Sequence, residues 1–368
     1  MESLLAGALL LVANKASTSV RSSSSPAPFV IGTSDTRASA AARPVRCAVG
    51  KESILYALEH EEMFNSVEVL QWESGMSFNS IAAAQGIRVR RRFRTRYPSD
   101  DDDDDGAVAR STLEQIIWDK EVEVHHRKAK EQLKDVVESA QRAPPPRDFV
   151  AALHAARRRN GDVVPALIAE VKKASPHRGV LREHFKPVEI AHAYEKNGAA
   201  CLSILTDEKY FQGSFEILEA VRNSGVKVRT IIVSRCASFS CLKCPLLCKD
   251  FVIDIWQIYY ARSKGADAIL LIAAVLPDLD MKFMLHVCNN LGMAALIEVH
   301  DERELDRVLK IDGVQLISIN NHSLETSQVD TANINMLLKK LGDMVPNKVI
   351  LLEIRNTFPS PARRRIAV

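Results

Sequence analysis

Ala166-Leu-Ile-Ala-Glu-Val-Lys-Lys-Ala-Ser-Pro176 is a short apolar run that ends in charges and then in a Ser-Pro turn. Alone it reads as one buried strand, but its layout recurs. Leu246-Leu-Cys-Lys-Asp-Phe251, Ala294-Ala-Leu-Ile-Glu-Val299 and Leu316-Ile-Ser-Ile-Asn-Asn321 each carry a polar or ionisable residue at the end of an apolar run. Burying Glu or Lys there costs several kcal/mol unless the group is paired or used. A chain that does so repeatedly is building a site. In parallel α/β folds such a site lies where the carboxyl ends of the strands converge.

Outward from these runs, strand and helix patterns alternate. Strand-like runs fall at Leu167–Lys172, Cys201–Leu205, Leu246–Lys249, Ala268–Ile272, Ala295–Val299, Leu316–Asn320 and Val349–Leu352. Helical patterns at Pro187–Asn197, Ser214–Asn223, Ile253–Lys264, Asp278–Leu291, Asp301–Lys310 and Thr331–Leu341 lie between most of them. Asp278 and Asp301 stand as N-caps, and Gly292, Gly313 and Gly342 stand where helices end. Strands separated by helices form a parallel sheet with right-handed crossovers, buried on both faces. The fold class is therefore α/β, of the (β/α)8 TIM-barrel type. Such a barrel takes about 250 residues, and the chain from Leu167 onward falls short by roughly one βα unit. The barrel is expected to be incomplete, at about seven strands, with two unpaired sheet edges.

An amino-terminal helical extension precedes it. Ser111-Thr-Leu-Glu114 is a capping box that opens a helix with Leu113, Ile116, Ile117 and Val124 on its apolar face. A second amphipathic piece, Glu131–Ala140, is stopped by Pro144-Pro-Pro146, and Asp148–Arg159 is a third. Further upstream, Arg88-Val-Arg-Arg-Arg-Phe-Arg-Thr-Arg96 precedes the six aspartates Asp100–Asp105, which repel one another and form a solvated linker. The basic run, with Phe93 and Tyr97, has the composition of a nucleic-acid contact, but mutual neutralisation of the two opposite runs is the simpler reading. The domains expected are a leader over 1–50, an extension with the acidic linker over 51–110, helices over 111–160, the barrel over 161–353 and a divergent tail over 354–368.

Bulk composition narrows the function classes. The chain has 368 residues, 46% hydrophobic and 26% charged, as in a soluble globular protein. A net charge of +3 is too small to imply a polyanion partner, so no nucleic acid is expected. No apolar run reaches the roughly 18 residues of a membrane span, so no membrane partner is expected. The seven cysteines, at 47, 201, 236, 241, 244, 248 and 288, are unevenly spaced, and several fall in apolar runs as free buried thiols do. Met1–Gly50 holds only Glu2 and Asp35 as acids, against Lys15, Arg21, Arg37, Arg43 and Arg46, with a Ser-rich stretch at Ser17–Ser25. That is the composition of an organellar transit peptide, cut near Val45-Arg-Cys-Ala48 and directed to the plastid.

The strand ends supply the chemistry. Lys172 and Lys249 are candidate general acids, Glu170 and Glu298 candidate bases, and Asn320 a neutral donor and acceptor. Glu170 and Lys172 are two apart, so both face the barrel mouth. A lysine crowded into an apolar mouth is open to a lowered pKa, which suits proton donation. A ring of mutual salt bridges without chemistry is the bland alternative.

Ala169-Glu-Val-Lys-Lys-Ala-Ser-Pro176, Leu202-Ser-Ile-Leu-Thr-Asp-Glu-Lys-Tyr-Phe-Gln-Gly-Ser214, Cys248-Lys-Asp-Phe251, Leu296-Ile-Glu-Val299 and Ile319-Asn-Asn321 closely resemble the indole-3-glycerol phosphate synthase family, in its plant, plastid-targeted form. The resemblance runs from about Ser111 to Lys340 apart from one interruption, and Glu68–Arg92 resembles the plant extension. It implies a (β/α)8 barrel whose extra helices lid the mouth. The activity it implies is a carbon-carbon lyase reaction of tryptophan biosynthesis, which closes the pyrrole ring of 1-(2-carboxyphenylamino)-1-deoxyribulose 5-phosphate with loss of carbon dioxide and water. No cofactor and no metal is implied. The partners implied are the phosphorylated small molecule and other enzymes of the tryptophan pathway. By the same resemblance Lys249 protonates the substrate carbonyl, and Lys172 steers the carboxylate and donates a proton in dehydration. Glu298 acts as base or as stabiliser of the cationic intermediate, Glu170 is its partner near Lys172, and Asn320 holds the network. Phe211, Phe251 and Leu270 line the slot for the aromatic ring. Ser175, His322, Leu324 and Glu353 complete the substrate-binding set.

The chain departs from the family in three places. Val228–Lys243 interrupts the approach to the third strand and reads as a retained intron, since every Val codon begins GT and a Lys codon can end in AG. Transcripts that all contain the segment would refute this. It adds Cys236 and Cys241 without completing a four-ligand zinc set. His322 stands where the family has arginine, which weakens the grip expected on a carboxylate, and Ser318 stands where it has glycine, which puts a side chain where the backbone needs room. Ile354 and Arg355 replace the Ser-Gly that follows the seventh strand's glutamate, ahead of a Pro/Arg tail. The rival to a working synthase is therefore a catalytically dead, truncated barrel remnant or splice form. A phosphosugar isomerase of the same pathway would need a Cys and Asp acid/base pair that the sequence does not place.

Overall fold

The computed structural model describes residues 76–92, 108–161, 165–224, 244–320, 336–337 and 340, together with the backbone of 8–12 and 349–354. The 228–243 segment, the acidic run, the divergent tail and most of the leader lie outside the described residues. Strands β1 (Ala8–Val12), β2 (Leu167–Val171), β5 (Cys201–Leu205), β6 (Leu246–Lys249), β7 (Ala268–Ile272), β8 (Ala294–Val299), β9 (Leu316–Asn320) and β10 (Val349–Ile354) form a closed barrel. A two-stranded hairpin, β3 (Ala174–Ser175) and β4 (Gly179–Val180), sits in the loop after β2. Around the ring the order is β1, β10, β9, β8, β7, β6, β5, β2.

The seven strands read from the sequence are present and run parallel. The Cys201–Leu205, Ala268–Ile272 and Leu316–Asn320 runs are buried end to end. The expected pair of open edges is not. β1 fills the eighth place, antiparallel to β10 through Ala8 opposite Ile354 and to β2 through Ala8 opposite Ala169. A run of Ala-Leu-Leu-Leu-Val satisfies two exposed ladders, because any extended apolar segment can pair with an unfilled edge. Composition marked this run as part of a leader and could not reveal its pairing.

Six further helices follow the expected alternation or precede it closely: α5 (Pro187–Lys196), α6 (Phe215–Asn223), α7 (Ile255–Ser263), α8 (Asp278–Asn290) and α9 (Glu302–Leu309) after barrel strands, and α4 (Phe149–Arg159) before β2. Asp301 caps α9 by accepting from Glu304 N at 2.8 Å. Asp278 does not cap α8: Pro277 holds the cap position, and Asp278 in the first turn pairs instead with Arg307.

The extension adds α1 (Phe78–Ala84), α2 (Thr112–Lys130) and α3 (Leu133–Arg142). Ser111 Oγ accepts from Glu114 N at 3.1 Å, so half of the capping box forms. The Glu114 carboxylate accepts instead from the backbone N–H of Arg110, just before the cap, and pairs with Arg90. The described part of the basic run also meets α2. Arg91 pairs with Glu121, and Arg92 lies 3.7 Å above the Trp118 ring. Among the described residues, Glu114 and Glu121 of α2 pair with Arg90 and Arg91 of the run, and the aspartates lie outside them. Two of the extra helices serve opposite ends of the barrel. Phe149 at the start of α4 meets the amino end of β5, where Cys201 Sγ lies 3.8 Å from Phe149 O. α2 meets the loops at the carboxyl ends. Leu113, Ile116, Ile117, Phe149 and Leu153 join the barrel's Ile168, Leu247, Leu270 and Leu296 in one hydrophobic core.

Candidate active site

Four barrel segments deliver the polar groups to one pocket. Glu170 lies on β2 with Lys172 just past it, Lys249 ends β6, Glu298 lies on β8 and Asn320 ends β9. All five line the same cavity with Leu205, Asp207, Phe211, Asp250, Phe251, Leu270 and Ile272. Apolar Leu205, Phe211, Phe251, Leu270 and Ile272 thus share the lining with buried charged groups. Phe211 and Phe251 stand 6.2 Å apart between ring centroids, tilted by 41°. That separation is ordinary for a packed aromatic pair.

The charges are arranged as one carboxylate between two ammonium groups. Lys172 pairs with Glu170 Oε2, and Lys249 Nζ donates to Glu170 Oε1 at 2.9 Å. Burial pushes the Glu170 carboxyl up, but the two ammonium groups outweigh it and hold the pKa down at about 2. Glu298 Oε1 accepts from Asn320 Nδ2 at 3.2 Å and meets His300 Nε2 at 3.2 Å. Its pKa is also held at about 2: burial raises it, while the imidazole, the Lys249 charge and the Asn320 amide lower it further. Both carboxylates are thus ionised and poorly basic. Lys249 keeps only 13% of its side chain exposed and turns into the mouth rather than into solvent.

Short loops fix these groups. After β5, Asp207 Oδ1 accepts from Tyr210 N at 2.8 Å and from Phe211 N at 3.1 Å, which aims Phe211 at the pocket. Gly213 closes the loop where a Cβ would stand 2.1 Å from Leu205 O, so no other residue fits. After β6, Asp250 Oδ2 accepts from Thr206 Oγ1 at 2.6 Å and joins two neighbouring strand ends. Lys120 of α2, with 1% of its side chain exposed, meets Asp207 and Asp250, each at 2.9 Å. One lysine from the extension thereby ties together the loop that carries Phe211 and the loop that follows Lys249 and carries Phe251.

Sequence comparison agrees with this geometry. The profile of the family described as indole-3-glycerol phosphate synthase matches residues 113–353, well over half of the chain. The chain belongs to the indole-3-glycerol phosphate synthase family. It is 51% identical over 291 residues to the chloroplastic indole-3-glycerol phosphate synthase of Arabidopsis thaliana, covering 76% of this chain and 67% of that protein. It is 47% identical over 246 residues to the enzyme of that name from Microcystis aeruginosa, covering 67% of this chain and 76% of the relative. For the enzyme from Rippkaea orientalis the identity is 50% over 236 residues, covering 64% of this chain and 73% of the relative.

Of the residues that the synthase resemblance singled out, eight meet at this pocket: Glu170, Lys172, Lys249, Glu298, Asn320, Phe211, Phe251 and Leu270. Ser175 does not line it. It is buried in β3, and its hydroxyl has no hydrogen-bond partner among the described residues. Glu353 is in register with Asn320 across β10 and β9, and its side chain is outside the described residues, as are His322 and Leu324. Ser318 is fully buried in β9, and its hydroxyl has no hydrogen-bond partner among the described residues. Such a group costs about 1–3 kcal/mol. Cys201, Cys244, Cys248 and Cys288 are buried free thiols, and burial pushes Cys288 up to about 12.

Sequence reasoning missed Lys120, Asp207, Asp250 and His300. Lys120 had a legible signal, because it continues the spacing from Ile116 to Val124 and so occupies an apolar position of the α2 stripe. His300 also had one: it stands two after Glu298, so the alternation of an extended strand puts both on one side.

Proposed function

We propose that the chain is an indole-3-glycerol phosphate synthase, a carboxy-lyase that closes the pyrrole ring of 1-(2-carboxyphenylamino)-1-deoxyribulose 5-phosphate. The observation that carries this is the meeting of two ammonium groups and two ionised carboxylates beside one apolar aromatic slot. Ring closure needs the aromatic carbon held against the ketone carbon, and a fixed slot of this kind supplies the orientation. As that bond forms, the ketone oxygen gains a proton, and Lys249 is the donor. Lys172 holds the substrate carboxylate until carbon dioxide leaves, then protonates the departing hydroxyl in dehydration. The proton lost from the neighbouring ring methylene returns to the Lys249 amine, which gave its own to the ketone oxygen. Glu298, ionised and weakly basic, is better suited to stabilise the cationic intermediate than to remove a proton. Glu170 holds both lysines in position, and Asn320 aligns Glu298.

The test is turnover by the purified chain, followed by fluorescence of the indole product. Lys249→Ala is expected to lower kcat by at least about 10²-fold, the usual range for a lost acid. Undiminished turnover in this variant would remove Lys249 from its role. A folded wild-type barrel that makes no product would instead support the inactive remnant.

The Arabidopsis relative is chloroplastic by name, and residues 1–50 have transit-peptide composition. We infer import into the plastid, with 1–50 as the leader. Fusion of those residues to a fluorescent protein should direct it to plastids, and diffuse cytosolic fluorescence would refute the assignment.

A further inference from the structure

His300 lies on the residue after β8 with carboxylates at both of its ring nitrogens. Nε2 is 3.2 Å from Glu298 Oε1, and Nδ1 is 3.2 Å from Glu304 Oε2. A neutral imidazole has one N–H and one lone pair, so it would set that lone pair against a carboxylate. Only the imidazolium donates to both. Glu304 is itself fixed: its backbone N–H is capped by Asp301, and its Oε2 also accepts from His300 N at 2.7 Å. The Glu298 carboxylate has the Asn320 amide on the same oxygen, with the Lys249 charge nearby. Lys249, however, donates directly to Glu170.

We propose that His300 is a positioning residue: as an imidazolium braced by Glu304, it holds the Glu298 carboxylate ionised and fixed at the pocket. The role rests on the synthase reading above. Burial opposes the imidazolium, but the two carboxylates outweigh it and raise the ring to about 10, so the bridge persists across the physiological range. The groups facing the pair come from four elements: Glu298 on β8, Glu304 on α9, Lys249 on β6 and Asn320 on β9. Removing the imidazolium leaves Glu298 buried with a neutral amide and a lysine committed elsewhere. Its pKa then rises, and the proton it takes up at mildly acidic pH silences it.

Three readouts test this. In the wild-type chain with ¹⁵N-labelled histidine, both His300 ring nitrogens should stay protonated from about pH 5 to about pH 9. Loss of a proton near the ordinary value of about 6.5 would overturn the proposal, whether or not any variant folds. In His300→Asn the Glu298 carboxyl, followed by ¹³C-labelled glutamate, should titrate at higher pH than in wild type. The acid limb of kcat/KM should move up with it, by about tenfold in rate for each unit at the low-pH end, and kcat should fall more than KM rises. His300→Arg, which keeps a cation able to donate twice, should restore both. A limb and a carboxyl titration unmoved in a folded His300→Asn chain would leave His300 a packing residue and overturn the proposal. If the wild-type chain makes no product, the synthase reading fails, and the two titrations still decide the bridge.

Discussion

Glu170 shares one carboxylate between two ammonium groups, and that sharing sets the acid limit of the site. Its folded pKa of about 2 lies below the ordinary 4.5, so ionised Glu170 contributes stability that is complete above about 4.5. That contribution is lost as pH falls towards 2. Denaturant titrations of the wild-type chain should therefore show stability falling across this window. Glu170→Gln should show a smaller fall, and should be less stable near neutral pH because two lysines lose their shared anion. Equal pH dependence in the two proteins would contradict the assignment. The pairing of Glu170 with Lys172 was legible from their spacing of two on one strand. That Lys249 of another strand would meet the same carboxylate is a contact across the barrel, which a linear reading cannot place.

At the scale of elements, α2 acts as a brace across the carboxyl ends of β5 and β6. Lys120 holds two buried aspartates, and burial is outweighed by Asp250, Asp207 and Glu123 so that its pKa is raised. Lys120→Met keeps the length and the apolar stem but leaves Asp207 and Asp250 without their cation. Breaking a buried ion pair from one side costs about 3–5 kcal/mol, so a clear drop in Tm is expected. Turnover should fall even where the variant stays folded, because Phe211 and Phe251 ride on the loops released and Lys249 stands just before one of them. A variant with unchanged stability would mean that the aspartates are held by other groups. α2 itself was legible in its apolar spacing, and so were the strands. The capping residues were read less well: Pro277 took the place assigned to Asp278, because Asp278 found Arg307 across the fold.

For the whole molecule, the decisive event is closure of the ring by β1. Deleting residues 1–14 should leave β2 and β10 with unpaired edges, favouring association of chains. Tm should fall by about 2–4 °C for each kcal/mol lost, and amides of β10 should exchange faster with solvent. Free exchange at Leu9–Leu11 in the intact chain would show that the segment is not held. Under the proposed import, cleavage near Ala48 removes β1, so the precursor and the processed chain differ in the eighth place of the barrel.

The sequence by itself determined seven apolar strands, the helices between them, and the ionisable residues at the strand ends. These are local facts, written in periodicity and in the cost of burying a charge without a use. Only the tertiary structure decided which strand fills the last place, which helix braces which loops, and that His300 stands behind Glu298. Each of those is a pairing between residues far apart in the chain or on adjoining elements. Extended apolar segments can pair with any open edge, and a charge can be satisfied by any opposite charge that folding brings near. Spacing along the chain therefore names the candidates, and packing selects among them.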